Sequence, residues 1–338
     1  MVVLSAGAAL LAVLFAELGP ARILALLSAL GANFLIIVAL FGCHECVRAL
    51  AVGRCFPVEQ RPRFRTVLRV RFIGEAVGTL TRTGMFSAEP ARAWMLAGQT
   101  AAGSHGYAAA AGELIANSCT SASVSVVVTG YLLLAGDVHG PIRVVCHVLL
   151  WGSLVYVSAA AWALFARVYL ISAIVRGVGA LPLIGRRLTI DRARVRDVEN
   201  AIIHALTDRP AALVRILLLE CVAQSILISE IYWTIHSMGI PIDPWTAVKV
   251  EVLTKASNIV QVIGVMEAGY SVLFTWLGMT AVVGFTLSLV KLLRSLAAAG
   301  LGLAILKGLA ALPVRGELAP PADRPVNELT EFDRSRAT

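Results

Sequence analysis

Long apolar stretches recur along the chain, and all but the first, which is short for a span, have about the length of a membrane-crossing helix. The runs cover residues 2–16, 24–43, 115–134, 144–166, 216–235 and 279–306. Four of them carry no charge, whereas 216–235 contains two glutamates and 279–306 contains a lysine and an arginine. About 20 apolar residues in an α-helix span the hydrocarbon core of a bilayer. The pattern therefore predicts six full transmembrane helices.

The polar connections between these runs differ in their arginine content. Residues 44–71 hold seven arginines and residues 167–215 hold nine, whereas 17–23 and 135–143 hold one each. Because Lys and Arg accumulate in cytoplasmic loops, we predict that both Arg-rich connections and both termini are cytoplasmic. The expected location is the bacterial cytoplasmic (inner) membrane.

Two segments do not fit the alternation of cytoplasmic and external connections along the chain. Segment 69–97 lies between two helix ends predicted on the inside, and 244–277 between two ends predicted on the outside, so neither crosses once. Each should enter the membrane and return as a re-entrant broken helical hairpin, and both are rich in glycine and charge. Helix–hairpin–helix then occurs twice in opposite orientation. This inverted repeat is typical of secondary transporters, whose sites lie near the midplane.

The remaining segments are polar. Residues 186–207 predict an amphipathic surface helix, and the residues after Lys307 are rich in proline and charge. We therefore divide the chain into an all-α, polytopic membrane domain over 1–307 and a disordered cytoplasmic tail over 308–338.

Composition supports a membrane protein. The chain is 58% hydrophobic and 15% charged, whereas soluble domains usually carry about 25% charged residues. The basic excess is not arranged as a stripe with interleaved aromatic residues, so we predict no nucleic-acid partner.

Three stretches carry a family resemblance: "GEAVGTLTRTGMFSAEPARAWML", "SEIYWTIHSMGI" and "VIGVMEAGYSVLFTWLGM". They resemble the transmembrane flippase-like family of lysylphosphatidylglycerol synthases and its stand-alone relatives, which include membrane proteins associated with hopanoid biosynthesis. The resemblance covers roughly residues 20–307. It implies a helical fold with two re-entrant segments and a role in moving or handling an amphipathic lipid. The soluble aminoacyl-transferring domain of the full synthases has no counterpart in these residues, so we expect no synthesis of an aminoacyl lipid.

Ionisable residues within the apolar segments are the candidate site, because each costs at least about 2.5–3.5 kcal/mol at a helix centre unless it is paired or hydrated. Lys291 and Arg294 share a helix face. They either bind a lipid phosphate or form structural ion pairs with glutamates of the two hairpins. We predict that Glu89 and Glu267 neutralise them at rest. For these two glutamates, pairing, helix capping and carrying a coupling proton remain open.

The full predicted set follows from the same criterion. The headgroup and transport residues are Arg82, Glu89, Arg92, Lys255, Glu267, Lys291 and Arg294, and the supporting residues are Glu75, Glu220, Glu230 and Glu251. Arg82 and Arg92 have a second interpretation as cytoplasmic anchors for anionic headgroups. Glu220, Gln224 and Glu230 are favoured as interhelical hydrogen-bond partners.

Metal and cofactor chemistry finds little support in the sequence. Residues 43–46 read Cys-His-Glu-Cys, but a zinc site needs four convergent ligands and no second pair of suitable spacing follows. We place this cluster at a helix end, with free thiols and an interfacial histidine, and predict no metal. Neither a P-loop nor a nucleophile elbow occurs, so we predict no cofactor.

The sequence therefore favours a lipid flippase or transporter whose partners are membrane lipids. A membrane transferase acting on a lipid-linked phosphate, with Glu89 or Glu267 as general base, is the enzymatic alternative. An accessory protein that scaffolds a lipid-biosynthesis enzyme is the third possibility.

Overall fold

The protein is helical throughout the part of the chain that its structure, a computed structural model, describes: residues 2–81, 85–99, 103–136, 138–169, 172–173, 192–257 and 264–310. Twelve α-helices and no strand occur in these ranges. The helices are α1 (Val2–Leu18), α2 (Pro20–Leu30), α3 (Asn33–Cys55), α4 (Phe64–Thr81), α5 (Met85–Ala97), α6 (Gly103–Ala135), α7 (Pro141–Phe165), α8 (Arg192–Thr207), α9 (Pro210–Ser237), α10 (Pro244–Ser257), α11 (Val265–Trp276) and α12 (Ala281–Ala310).

Five of these helices, α3, α6, α7, α9 and α12, are long and apolar enough to cross a membrane. The helices α1 and α2 together pass the same test but meet at an angle of 89°. Counting that bent pair as one broken span gives the six crossings that the sequence predicts. The helical architecture of a polytopic membrane protein is thus confirmed at this level.

The predicted span over 24–43 is wrong in its boundaries. The helix breaks at Gly31, whose φ of +43° is favourable only for glycine, and α3 then runs on to Cys55. Residues 44–55 of the connection predicted over 44–71 therefore belong to α3, and residues 64–71 belong to α4. The extension is possible because Glu45 and Arg48 within α3 are buried and paired with groups on neighbouring helices.

Helices α4 and α5 form an antiparallel pair, hereafter hairpin 1. Arg92 Nη2 on α5 donates to the backbone oxygen of Arg71, at 3.4 Å, and to Glu75 Oε2, at 3.2 Å, both on α4. Nearer the connection, the hydroxyls of Thr81 and Ser87 are 2.6 Å apart. Residues close to the connection contact each other, and residues further along α5 contact residues earlier in α4, so the two helices run antiparallel.

Helices α10 and α11 form the second pair, hairpin 2. Val250 of α10 and Phe274 of α11 belong to one buried apolar cluster, and Val252 and Leu273 belong to another. The two helices therefore pack against each other. Residues 258–263 lie outside the described residues.

Helix α12 contacts both hairpins. A Cβ added at Gly284 would lie 2.5 Å from the backbone oxygen of Tyr270 in hairpin 2, and one added at Gly302 would clash with the backbone oxygen of Phe72 in hairpin 1. Both close approaches therefore require the absence of a side chain. The two glycines are eighteen residues apart, or about 27 Å along an α-helix, and Lys291 and Arg294 lie between them.

The amphipathic helix predicted over 186–207 begins at Arg192 in the described part of the chain. Ile202 and Leu206 are buried in the apolar cluster that includes Ala109 of α6. The predicted tail lies outside the described residues from residue 311 onward, so that part of the domain division stays a prediction.

Candidate functional site

The middle of α12 carries two cations, each held by a carboxylate on another helix. Arg294 Nη1 is 2.5 Å from both carboxylate oxygens of Glu230 on α9, and its guanidinium lies 4.0 Å from the ring centroid of Phe41. Lys291 Nζ is 3.7 Å from Glu251 Oε2 on α10 and donates to the hydroxyl of Tyr270 at 3.3 Å. Both cations therefore connect α12 to the helices around it.

A third cation completes this group. Lys255, one turn beyond Glu251 on α10, donates to the backbone oxygen of Ser121 at 3.2 Å and interacts electrostatically with both Glu251 and Lys291. The lysine side chain of Lys291 and the carboxylate of Glu251 keep 18% and 10% of their surface exposed, so the group is not sealed.

We call these five residues, Glu230, Glu251, Lys255, Lys291 and Arg294, the cationic cluster. Three cations stand against two carboxylates, which leaves one positive charge in excess. In a poorly hydrated setting an uncompensated charge is unfavourable. The cluster is thus able to accept one anion.

Glu89 and Glu267 are wrong as partners of the α12 cations, whereas a pair with a glutamate of hairpin 2 does occur, between Lys291 and Glu251. Glu89 binds Arg92 on its own helix, at 2.5 Å between Oε1 and Nη1. Glu267 Oε2 accepts a hydrogen bond from the backbone N–H of Gly264 at 2.6 Å, so it caps the N-terminus of α11. Each carboxylate is nearer in sequence to a local donor than to α12, and local pairing orders fewer side chains.

Hairpin 1 holds its own ion-pair group. Arg92 is buried, with 5% of its surface exposed, and it binds Glu75 as well as Glu89. A buried arginine with two carboxylate partners is not a surface anchor for headgroups, so that interpretation of Arg92 is wrong. Arg82 lies outside the described residues.

A second large group of charges lies between α3, α4, α6 and α9. Arg71 Nε is 2.7 Å from Glu45 Oε2, and Arg71 Nη1 is 3.3 Å from Glu113 Oε1. Arg48 Nε donates to the same oxygen of Glu113 at 2.7 Å. Glu220 of α9 is fully buried beside Glu113. We call Glu45, Arg48, Arg71, Glu113 and Glu220 the carboxylate-rich cluster.

Sequence analysis missed four of these five residues. Arg48 and Arg71 were counted as loop arginines, Glu45 was considered only as part of the Cys-His-Glu-Cys metal hypothesis, and Glu113 was not considered as a candidate. A usable signal existed, because Glu45 and Arg48 are three residues apart and thus share a helix face. Among the predicted supporting residues, Gln224 does pair between helices, with Asn117 Oδ1 at 3.5 Å, and so does Glu230 with Arg294.

The Cys-His-Glu-Cys stretch lies inside α3 rather than at a helix end, so its predicted position is wrong. His44 is buried, with Nδ1 3.2 Å from the backbone oxygen of Ala223, and is therefore not interfacial. All six cysteines are free. Within the described ranges, no three histidine, cysteine or acidic side chains are grouped as metal ligands would be.

Comparison of the chain with protein-family models, with curated proteins and with solved structures found no match.

Proposed function

We propose that the protein is a membrane lipid transporter that binds the anionic, phosphate-bearing headgroup of an amphipathic lipid at the cationic cluster. The observation that carries this proposal is the excess positive charge halfway along α12, a helix apolar enough to span a membrane. An ionisable group at such a position usually serves transport or binding.

The binding chemistry follows from the contacts. Lys291 is the most available cation, because its distance of 3.7 Å to Glu251 is too long for a hydrogen bond, and Glu251 also interacts with Lys255. A phosphate oxygen could therefore accept a hydrogen bond from Lys291 while Glu251 keeps a positive neighbour. Charge-assisted contacts of this kind are about twice as strong as neutral ones.

The arrangement of helices supports an inverted repeat as the framework for transport. The first unit is α3, hairpin 1 and α6, and the second is α9, hairpin 2 and α12, with α3 packed against α9. Gly106 and Gly284 each lie three residues into the helix that follows a hairpin, and each closely approaches the second helix of that hairpin. We propose that both hairpins are re-entrant and that rocking of one unit against the other moves the headgroup.

In each unit an ion pair also joins the two helices that flank the hairpin. The arginine lies on the first helix of the first unit and on the last helix of the second unit. In the first unit, Arg48 of α3 binds Glu113 of α6, whereas in the second unit Glu230 of α9 binds Arg294 of α12. An ion pair between the helices on either side of a hairpin is therefore common to both units.

For the orientation, we propose that the Arg-rich end faces the cytoplasm together with both termini. The pKa of Arg61 is lowered, first by partial burial and then by repulsion from Arg54 and Arg209. Arginines from two separate connections thus gather at one end of the molecule. Such a surface suits the anionic cytoplasmic leaflet.

The resemblance to the lysylphosphatidylglycerol synthase flippase-like family agrees with this proposal and stays part of it. The enzymatic alternative draws no support from the site, since Glu267 caps a helix and Glu89 is held by Arg92. Neither carboxylate is placed as a free general base.

The test is translocation of fluorescent phosphatidylglycerol in proteoliposomes, followed by chemical quenching of the outer leaflet. Lys291→Gln is the informative variant, because Glu251 keeps Lys255 nearby and the fold should survive. Loss of a charge-assisted contact, about 1.5–3 kcal/mol, should slow translocation about tenfold or more.

A paired variant and a control complete the design. Glu230→Gln combined with Arg294→Gln removes one cation and one carboxylate together, so the excess positive charge remains and translocation should stay faster than in Lys291→Gln. Lys307→Gln, at the exposed end of the same helix, should leave the rate unchanged. Parental rates in a Lys291→Gln, Glu230→Gln, Arg294→Gln triple variant would refute the proposed site.

A further inference from the structure

Glu220 is the most anomalous side chain of the carboxylate-rich cluster. It is buried, with 0% of its surface exposed, and neither carboxylate oxygen has a hydrogen-bond donor among the described residues. Its neighbour within hydrogen-bonding reach is another carboxyl group, that of Glu113. A buried charge without a donor is strongly destabilising.

The arginines nearby are already engaged. Arg71 binds Glu45 and Glu113, and Arg48 binds the same oxygen of Glu113. Both arginines act on Glu220 through space, but the cluster still has three carboxylates against two guanidinium groups. One negative charge is therefore uncompensated.

The other titratable groups nearby do not supply the missing charge. The thiol of Cys55 interacts with both Glu113 and Glu220, but it is uncharged and donates to the backbone oxygen of Ala51. His44 directs Nδ1 to the backbone oxygen of Ala223, and its Nε2 is 3.8 Å from Glu45 rather than beside Glu220. Arg92 acts on the cluster from hairpin 1, but it is bound by Glu75 and Glu89. That group brings two further carboxylates for its single cation.

We propose that Glu220 and Glu113 share one proton, so that the chain holds a proton-binding site within its apolar helical layer. Two carboxyl groups in one site cannot both ionise readily, and one keeps its proton. The hydroxyl of protonated Glu220 would donate to a carboxylate oxygen of Glu113, while Glu113 continues to accept from Arg48 and Arg71. This single proton both satisfies Glu220 and balances the charge of the cluster.

Protonation at this site is linked to helix packing. Glu113 joins α6 to α3 and α4 through the two arginines, and Glu220 lies on α9. A negative Glu220 would repel Glu113 and compete with it for Arg48 and Arg71. Loss of the proton should therefore loosen the contact among these helices. The site does not depend on lipid being the transported substrate.

The direct test is infrared spectroscopy of the full chain in lipid nanodiscs near neutral pH. A protonated carboxyl group has a C=O stretch that is separated from the carboxylate bands and shifts in D2O. We expect this band in the parent and its loss in Glu220→Gln. Glu59→Gln, in an exposed connection, should retain it.

Thermal unfolding distinguishes a protonated Glu220 from an ionised Glu220 that serves as a structural counter-charge to the arginines. Gln is nearly isosteric with a protonated Glu, so Glu220→Gln should keep the parental midpoint. Glu113→Gln should lower it, because Arg48 and Arg71 lose an ionised partner.

The proposal is overturned if the parent has no protonated carboxyl band, or if Glu220→Gln retains the band. It is also overturned if Glu220→Gln unfolds as readily as Glu113→Gln, or if the parent's stability requires sodium, which would indicate a bound metal cation.

Discussion

Gly302 allows the tightest approach between α12 and hairpin 1, and Gly302→Ala tests how much the architecture depends on it. The new Cβ would clash with the backbone oxygen of Phe72, and it would lie 2.9 Å from the carbonyl carbon of that residue and 3.0 Å from the Cβ of Ala76. Non-bonded carbon atoms prefer about 3.5–4.0 Å. The helices would have to separate by roughly 0.5–1 Å at this point.

The expected cost can be estimated from overpacking. Forcing an extra methyl group into a packed interface typically costs about 1–3 kcal/mol. Replacing Gly by Ala also favours a helix by up to about 1 kcal/mol, so the effect needs a control with the same propensity gain. Gly300 provides it, because a Cβ there would meet nothing within 4 Å.

The assay is equilibrium unfolding in mixed micelles, followed by circular dichroism. Gly302→Ala should be about 1–3 kcal/mol less stable than Gly300→Ala, and Gly300→Ala should be at least as stable as the parent. Equal stability of the two variants would show that α12 and hairpin 1 do not pack as closely as described.

Three further predictions concern other parts of the molecule. Glu267→Ala should destabilise α11 by about 0.5–2 kcal/mol through loss of its cap, whereas Glu267→Gln, which keeps an acceptor, should cost less in the same unfolding assay. The pKa of Asp208 is lowered, chiefly by the hydrogen bond from His204. The ionised carboxylate therefore stabilises the fold above the ordinary Asp pKa of about 4, and this stabilisation is lost as pH falls through the lowered pKa. Asp208→Asn should therefore speed hydrogen exchange where α8 meets α9 near neutral pH, and the difference from the parent should vanish in strong acid. In a cysteine-free background of intact cells, a cysteine at Gln60 should escape an impermeant thiol reagent and one at His139 should react; the reverse pattern would invert the orientation.

Several features of this protein follow from the sequence by itself. Apolar runs of spanning length dictate helices, because a backbone within lipid must satisfy its own hydrogen bonds. The parity of the arginine-rich connections predicts that 69–97 and 244–277 return to the side they enter from. In the structure each overlaps two helices that pack against each other, and their re-entry into a membrane stays a prediction.

The charge pairing was decided by the tertiary structure. Periodicity places Glu230 and Arg294 on helices, but it does not say that α9 and α12 bring them to 2.5 Å. The same limit explains why Arg48 and Arg71 were taken for loop residues. An arginine at a helix end and one buried against Glu113 have the same local sequence signal, and the difference lies in a partner on another helix. Sequence shows which residues are costly to bury, whereas the packing of distant helices decides which of them neutralise one another. It also decides which, like Glu220, have no hydrogen-bond donor in the part of the chain that the structure describes.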